Sequence, residues 1–183
     1  MIVASQKRKE NIAEYLLYMW QIEDIIRANG LDIEKVERSV IDKYTLSQQQ
    51  HKEMIGWYES LIDMMRREGV AEKGHLQLNT NVLIDLVRLH QTLLKDPRFP
   101  EYTAEFYRTL PYIVELRSKA GDAKAGEIET CFTALYGMLM LRLQGKDITR
   151  DTANAVKQIA KFIAMLARYH KLDSEDKLFK DEN

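Results

Sequence analysis

The sequence has few of the residues that interrupt helices. Only three prolines and eight glycines occur in 183 residues, and runs with the period-two alternation of β-strands are absent. Residues that favour helices, such as Leu, Ile, Met, Ala, Glu and Lys, are abundant. The composition therefore predicts an all-α fold, which we expect to be a compact antiparallel bundle of about six or seven helices.

Cysteine is nearly absent as well. The single Cys131 cannot form an intramolecular disulfide, and it excludes zinc sites built from several cysteines. Ile128, Leu135 and Met138 lie near it at helical spacing, which favours a buried, inert thiol over a catalytic one. This low cysteine content fits a reducing compartment, so we predict a cytoplasmic protein.

The chain also lacks a membrane-spanning segment and an excess of charge of one sign. Its most apolar run, residues 131–143, is shorter than the roughly 20 residues that cross a hydrocarbon core. The first helix carries acidic residues and no cleavage site, unlike a signal peptide. With 27 basic and 28 acidic residues the net charge is -1, so we expect neither a membrane nor a nucleic-acid partner.

Length and composition indicate a single domain. A chain of 183 residues with 45% hydrophobic content can bury a core without cross-links. We place this domain at residues 1–172. Residues 173–183 carry mixed charges, with only Leu178 and Phe179 available for burial, and we predict a disordered tail.

Several helix boundaries have clear signals. Segment 11–29 has two apolar stripes and should end at Gly30, which tolerates the left-handed conformation after a last turn. Ser47 and Gln50 have the spacing of a capping box, which predicts the start of another helix. Gly121–Asp122 should end one helix and cap the next.

Two charged residues fall on otherwise apolar helix faces. Glu23 lies at the edge of a stripe on helix 11–29, and Arg27 follows it at i+4, where the two can meet. Arg142 continues the stripe of Cys131 and Met138 on the most apolar helix, where an unpaired guanidinium would be costly. We predict an ion pair between Glu23 and Arg142. A structural pair, or an arginine that reaches solvent at the helix end, is favoured over a clamp for a substrate carboxylate.

Three histidines could ligate a metal. His51, His90 and His170 each lie on the apolar side of a different predicted helix, and Glu23 could supply a fourth ligand. Spacing does not show that these rings converge. A histidine that is hydrogen-bonded within the core or at a helix end remains the favoured interpretation of each, and no cofactor is identified.

Motifs of catalysis are missing. The sequence has no Gly-rich phosphate loop, no G-x-S-x-G and no paired cysteines. Glu72 and His75 have the E-x-x-H spacing of a di-iron helix, but Gly74 interrupts it and a second copy is absent. We therefore assign no catalytic residue, and an enzyme is not the favoured class.

Two functions stay open. The first is a non-enzymatic interaction module that associates with itself, since Trp57, Tyr58, Met64 and Met65 widen the apolar face of one helix. The alternative is a small-molecule or metal binder, or an enzyme, with a pocket between core helices. Its polar groups would be Glu23, His90 and Arg142.

Two segments carry a family resemblance. Residues 7–29 read KRKENIAEYLLYMWQIEDIIRAN and residues 80–94 read TNVLIDLVRLHQTLL. With these segments the chain resembles, over nearly its full length, a family of uncharacterised all-helical bacterial proteins known only as a domain of unknown function. The resemblance implies a helical fold and supplies no activity, ligand or catalytic residue.

Overall fold

The computed structural model describes residues 2–120 and 125–179, and these residues form eight α-helices and no strand. The all-α prediction is confirmed. In chain order the helices are α1 (Ile2–Glu10), α2 (Ile12–Ala28), α3 (Ile33–Ser39), α4 (Gln48–Arg67), α5 (Gln77–Lys95), α6 (Pro100–Ala120), α7 (Glu127–Leu143) and α8 (Arg150–Ser174). A single 3-10 turn, Ile41–Lys43, follows α3.

The sequence did not predict α1, because its many charged residues show no amphipathic pattern. A break at Asn11 separates it from α2, and the Asn11 side chain accepts a hydrogen bond from the backbone N–H of Ala13 at 3.0 Å. The predicted boundary at Gly121–Asp122 lies outside the described residues. Among the described helices, none is long and apolar enough to cross a membrane.

The chain groups into two compact units. The first comprises residues 1–9 and 14–82, with α1, most of α2, α3, α4 and the start of α5. The second comprises residues 10–13 and 83–183, with the rest of α5 and the helices α6, α7 and α8. The single domain over residues 1–172 stays a prediction.

Helix caps of the first unit follow the sequence signals. Ser47 and Gln50 form the predicted capping box: the Ser47 hydroxyl accepts from the Gln50 N–H, and the Gln50 side chain accepts from the Ser47 N–H. Asp32 caps α3, and Gly30 adopts a φ of 67° just after α2. These caps fix α3 and its 3-10 turn against α4, on which both pack.

In the second unit α6, α7 and α8 pack against one another in pairs. Aromatic rings fill much of the space between them and α5, with Tyr102, Phe106 and Phe162 all buried. Phe162 lies 5.5 Å from the ring of Tyr102 and 5.7 Å from that of Phe106, measured between centroids. Such aromatic contacts add to the stabilisation from buried apolar area.

Helix α7 is less buried than its sequence suggests. Ile128, Cys131, Phe132 and Met138 are buried, but most of the apolar residues from Ala134 onward are only half-buried. A helix that is apolar on every side is normally buried, so the second half of α7 departs from that expectation.

The end of the chain makes contacts up to Phe179, and the disordered tail over residues 173–183 stays a prediction. Helix α8 runs to Ser174, and the Phe179 ring packs edge-on against Phe99 at 5.9 Å. The Arg98 guanidinium lies 5.5 Å from the centre of the Phe179 ring. The rest of the predicted tail lies outside the described residues.

Candidate functional site

The carboxylate of Glu23 is completely buried in the first unit. It accepts hydrogen bonds from the Leu76 N–H at 3.0 Å and from the Asn79 side-chain amide at 2.6 Å. Leu76 directly precedes α5, where backbone N–H groups have no partner within the helix and the dipole favours an anion. Glu23 on α2 therefore caps the start of α5.

Glu23 also holds the ring of His75. The distance from Glu23 Oε2 to His75 Nδ1 is 2.6 Å, and the imidazole stacks on Trp20 with a centroid distance of 4.1 Å and an angle of 10° between the planes. When the carboxylate is ionised, Nδ1–H donates to it, which leaves the lone pair on Nε2. The His75 side chain is 38% exposed, so part of the imidazole ring is open to solvent.

Arg27 fixes the loop that carries His75. It was predicted to meet Glu23, but it pairs with Asp24 at 2.9 Å. The second terminal nitrogen of its guanidinium, Nη2, donates hydrogen bonds to the carbonyl groups of Val70 and Gly74. The loop before α5 is thus held by two successive turns of α2.

The sequence did not reveal the contact between Glu23 and His75. Since 52 positions separate the two residues, no helical spacing could connect them. The E-x-x-H spacing had instead related His75 to Glu72. A charged residue at the edge of the α2 stripe was the available signal, but it did not identify the partner.

Arg142 is exposed in the last turn of α7. This exposure does not fit a buried ion pair with Glu23, and it fits the other favoured interpretation, an arginine that reaches solvent at the helix end, because the buried stripe of that helix ends one turn earlier at Met138. An exposed guanidinium stays hydrated and needs no ion pair. Glu23 obtains its partners from the loop before α5 and the first turn of that helix instead.

His90 is a core residue of the second unit. It is 4% exposed, and its Nδ1 lies 2.7 Å from the hydroxyl oxygen of Tyr102. The rings of Phe106 and Phe162 meet it edge-on. Burial lowers the pKa of His90 to about 4, although the nearby Glu127 carboxylate acts in the opposite direction. With a pKa this low, the ring is neutral at physiological pH, and it packs in the core of the second unit.

His51 lies among carboxylates at the start of α4. Its Nε2 is 3.2 Å from an oxygen of Asp42, in the 3-10 turn, and 3.6 Å from an oxygen of Glu37, on α3. In the part of the chain that the structure describes, these three residues form the group whose potential metal-ligating atoms all lie within 4.8 Å of one another. It contains one of the three histidines predicted as ligands; His170 is half-buried near the end of α8.

Cys131 is completely buried, and burial raises the pKa of its thiol to about 12. A thiol with so high a pKa is a poor nucleophile at neutral pH.

Glu105 is a second buried carboxylate, which the sequence analysis missed. It accepts from Lys161 at 2.9 Å and from the Gln158 side chain at 2.8 Å, both on α8, and from Arg108 at 2.8 Å on its own helix. Burial raises the pKa of Glu105, but these hydrogen bonds outweigh that effect and hold the pKa below its usual value. The side chains of Lys161 and Arg108 are largely exposed. Glu105 connects α6 to α8 through its hydrogen bonds with Lys161 and Gln158.

An open groove of about 680 Å³ runs along α4 in the first unit. One wall is the turn around Gly30 and Asp32, and the other includes Gly56, Asp63 and Arg66. The groove is wide and mostly polar, unlike the enclosed apolar pockets that bind small molecules tightly.

Exposed apolar side chains form a line on α6. Tyr107 and Val114 are 62% and 56% exposed, and Ala104 and Pro111 are exposed as well. Their spacing of three, four and three residues places all four on one helix face. By contrast, Tyr58 and Met65 on α4 are buried, and only parts of Trp57 and Met64 reach the surface.

A family model described as a domain of unknown function (DUF4924) matches residues 1–177. The match confirms the resemblance inferred from residues 7–29 and 80–94. No curated protein and no solved structure matches the chain.

Proposed function

The chain belongs to the family described as a domain of unknown function (DUF4924), and we propose that it is a non-enzymatic module that associates with itself. The observation that carries this proposal is the apolar line of Ala104, Tyr107, Pro111 and Val114 on the outer face of α6. The proposed location is the cytoplasm, which the single buried cysteine supports.

This line differs from the surface that the sequence indicated. The apolar face of α4 is used for the core, since Tyr58 and Met65 are buried. Single exposed apolar residues are common on any protein surface. Four of them on one face over three helical turns form a seam that a second helix can cover.

The chemistry of the seam fits a second copy of the same helix. If two copies of α6 pack antiparallel around a twofold axis near Pro111, Tyr107 of each copy faces Val114 of the other. The same arrangement brings Arg108 close to Glu115 of the second copy, which matches opposite charges. Both charged side chains are more than half exposed and can reach across. Because this seam is small beside standard stable interfaces, we expect association that depends on concentration.

Size-exclusion chromatography with light scattering tests the proposal over a wide range of protein concentration. We expect the mass to rise towards that of a dimer, and Val114→Glu to keep the protein monomeric. Ile84→Glu is the matched control, because Ile84 is also an exposed β-branched residue on a helix, α5, away from the seam. A monomer at every concentration, or equal loss of the dimer in both variants, contradicts the proposal.

A second candidate function is small-molecule binding at His75. The observation that favours it is the buried carboxylate of Glu23, which orients an accessible imidazole. It replaces the predicted combination of Glu23, His90 and Arg142, of which only Glu23 takes part in this arrangement. A thermal-shift screen of small hydrogen-bonding compounds tests it: compounds that stabilise the wild type but not His75→Ala support it, and equal shifts in both proteins oppose it.

A further inference from the structure

We propose that Glu37, Asp42 and His51 form a binding site for a divalent transition-metal ion, with zinc as the representative ion. This site goes beyond self-association, since its residues belong to the first unit and the seam on α6 belongs to the second. The proposal rests on the positions of three potential ligand atoms from three successive segments of the chain.

The ligand atoms already have the spacing of a coordination shell. Zinc binds histidine nitrogen and carboxylate oxygen at about 2.0 to 2.2 Å, and two ligands in a tetrahedral shell are then about 3.4 Å apart. His51 Nε2 lies 3.2 Å from Asp42 Oδ1 and 3.6 Å from Glu37 Oε1. All three ligand atoms lie within 4.8 Å of one another, so small rotations of the carboxylates suffice to enclose an ion.

The backbone that carries these side chains is well anchored. Val36 and Ile41, which neighbour the two acidic residues in sequence, are both completely buried. His51 lies in the first turn of α4, which begins at the capping box of Ser47 and Gln50. A metal site needs ligands on segments that hold their positions, and this arrangement supplies them.

Charge and exposure also fit a cation. The two carboxylates supply oxygen ligands of the charge sign that attracts a divalent cation, and the imidazole supplies a nitrogen ligand. The side chains of Glu37, Asp42 and His51 are 34%, 51% and 32% exposed, so an ion and a coordinating water can reach them. The imidazole favours zinc, nickel or copper over magnesium and calcium, which prefer shells made of oxygen alone.

Isothermal titration of metal-free protein with zinc chloride tests the site. We expect one ion per chain in the wild type, and a loss of affinity of at least about tenfold in His51→Ala and in Asp42→Asn. His170→Ala is the matched control: this histidine is also half-buried, but it belongs to the second unit and is not part of the group of Glu37, Asp42 and His51. Its zinc affinity should equal that of the wild type. Magnesium chloride at the same concentrations should give no comparable binding.

A thermal-melting experiment with and without zinc provides the second readout. Zinc should raise the melting temperature of the wild type and of His170→Ala, and should not raise that of Asp42→Asn. Should His51→Ala fail to fold, Asp42→Asn and Glu37→Gln decide the outcome, since both keep the shape of the side chain. No zinc binding, or equal binding in wild type and all site variants, overturns the proposal and leaves His51 as a partner of two carboxylates.

Discussion

Glu23 combines complete burial with hydrogen bonds from His75, Leu76 and Asn79. We expect Glu23→Gln to lower the free energy of unfolding by about 1 to 3 kcal/mol, because the buried Leu76 N–H and Asn79 amide lose a charged acceptor. Urea unfolding measures this. Arg142→Met is the control: its side chain is exposed, so the change should stay within about 0.5 kcal/mol. An equal loss of stability in the two variants would instead support the predicted ion pair between Glu23 and Arg142.

His90 makes the stability of the protein depend on pH. Its pKa is about 4 in the folded chain against an ordinary value of 6.5, so below pH 6.5 the unfolded chain binds a proton that the folded chain does not. Stability is fully present above that value and falls as the pH drops towards about 4. We expect a loss of roughly 3 kcal/mol over this range, because each pKa unit between the folded and unfolded states corresponds to about 1.4 kcal/mol.

Urea unfolding between pH 7 and pH 4 checks this for the wild type and for His90→Gln. Carboxylates titrate in both proteins, so the difference between their pH slopes isolates His90. The variant should lose less stability on acidification than the wild type. Parallel curves would mean that the folded protein accepts the proton on His90 without cost.

At the scale of the helices, hydrogen bonds to Glu105 connect α6 to α8. Glu105 on α6 is buried and receives hydrogen bonds from Lys161 and Gln158 on α8. We expect Glu105→Gln to cost roughly 1 to 3 kcal/mol in urea unfolding, because the buried side chain loses its charge-assisted hydrogen bonds to Lys161 and Arg108. Lys161→Met should cost under about 1 kcal/mol, since that side chain is 62% exposed and the carboxylate keeps its other partners. A larger effect at Lys161 than at Glu105 would contradict this account.

At the scale of the whole molecule, the end of the chain should contribute little to stability. Deletion of residues 175–183 removes the edge-on contact between Phe179 and Phe99 and the stacking of Arg98. An aromatic contact of this kind is worth about 0.5 to 1.5 kcal/mol. The melting temperature should therefore fall by only a few degrees, and Phe179→Ala alone should reproduce the change. A much larger fall in the deletion variant would show that other residues of the tail are needed.

The association proposed for α6 also predicts a melting temperature that depends on protein concentration. Partners that bind only the folded chain stabilise it by mass action. The melting temperature of the wild type should rise with concentration, while that of Tyr107→Glu should stay constant. Ile84→Glu should behave like the wild type, and a constant melting temperature in all three proteins would argue against a dimer.

Local chemistry explains why the sequence alone determined the fold class and many helix boundaries. The capping box of Ser47 and Gln50, the cap at Asp32 and the stop at Gly30 each depend on residues only a few positions apart. Hydrophobic spacing on one helix is equally local, so it identified the buried side of α2. It also identified His90 as a residue on an apolar face, which the structure buries.

Only the tertiary structure decided what the polar residues contact. His75 reaches Glu23 across 52 positions, and Gln158 reaches Glu105 across 53. Such pairs depend on how segments pack, which the period of a single helix does not encode. The same limit applies to Arg142: helical spacing extended the stripe of α7 beyond Met138, but burial ends where neighbouring helices stop covering it. The contacts of Glu37 and Asp42 with His51 also depend on how α3 and its 3-10 turn pack against α4, so helical spacing could not predict them.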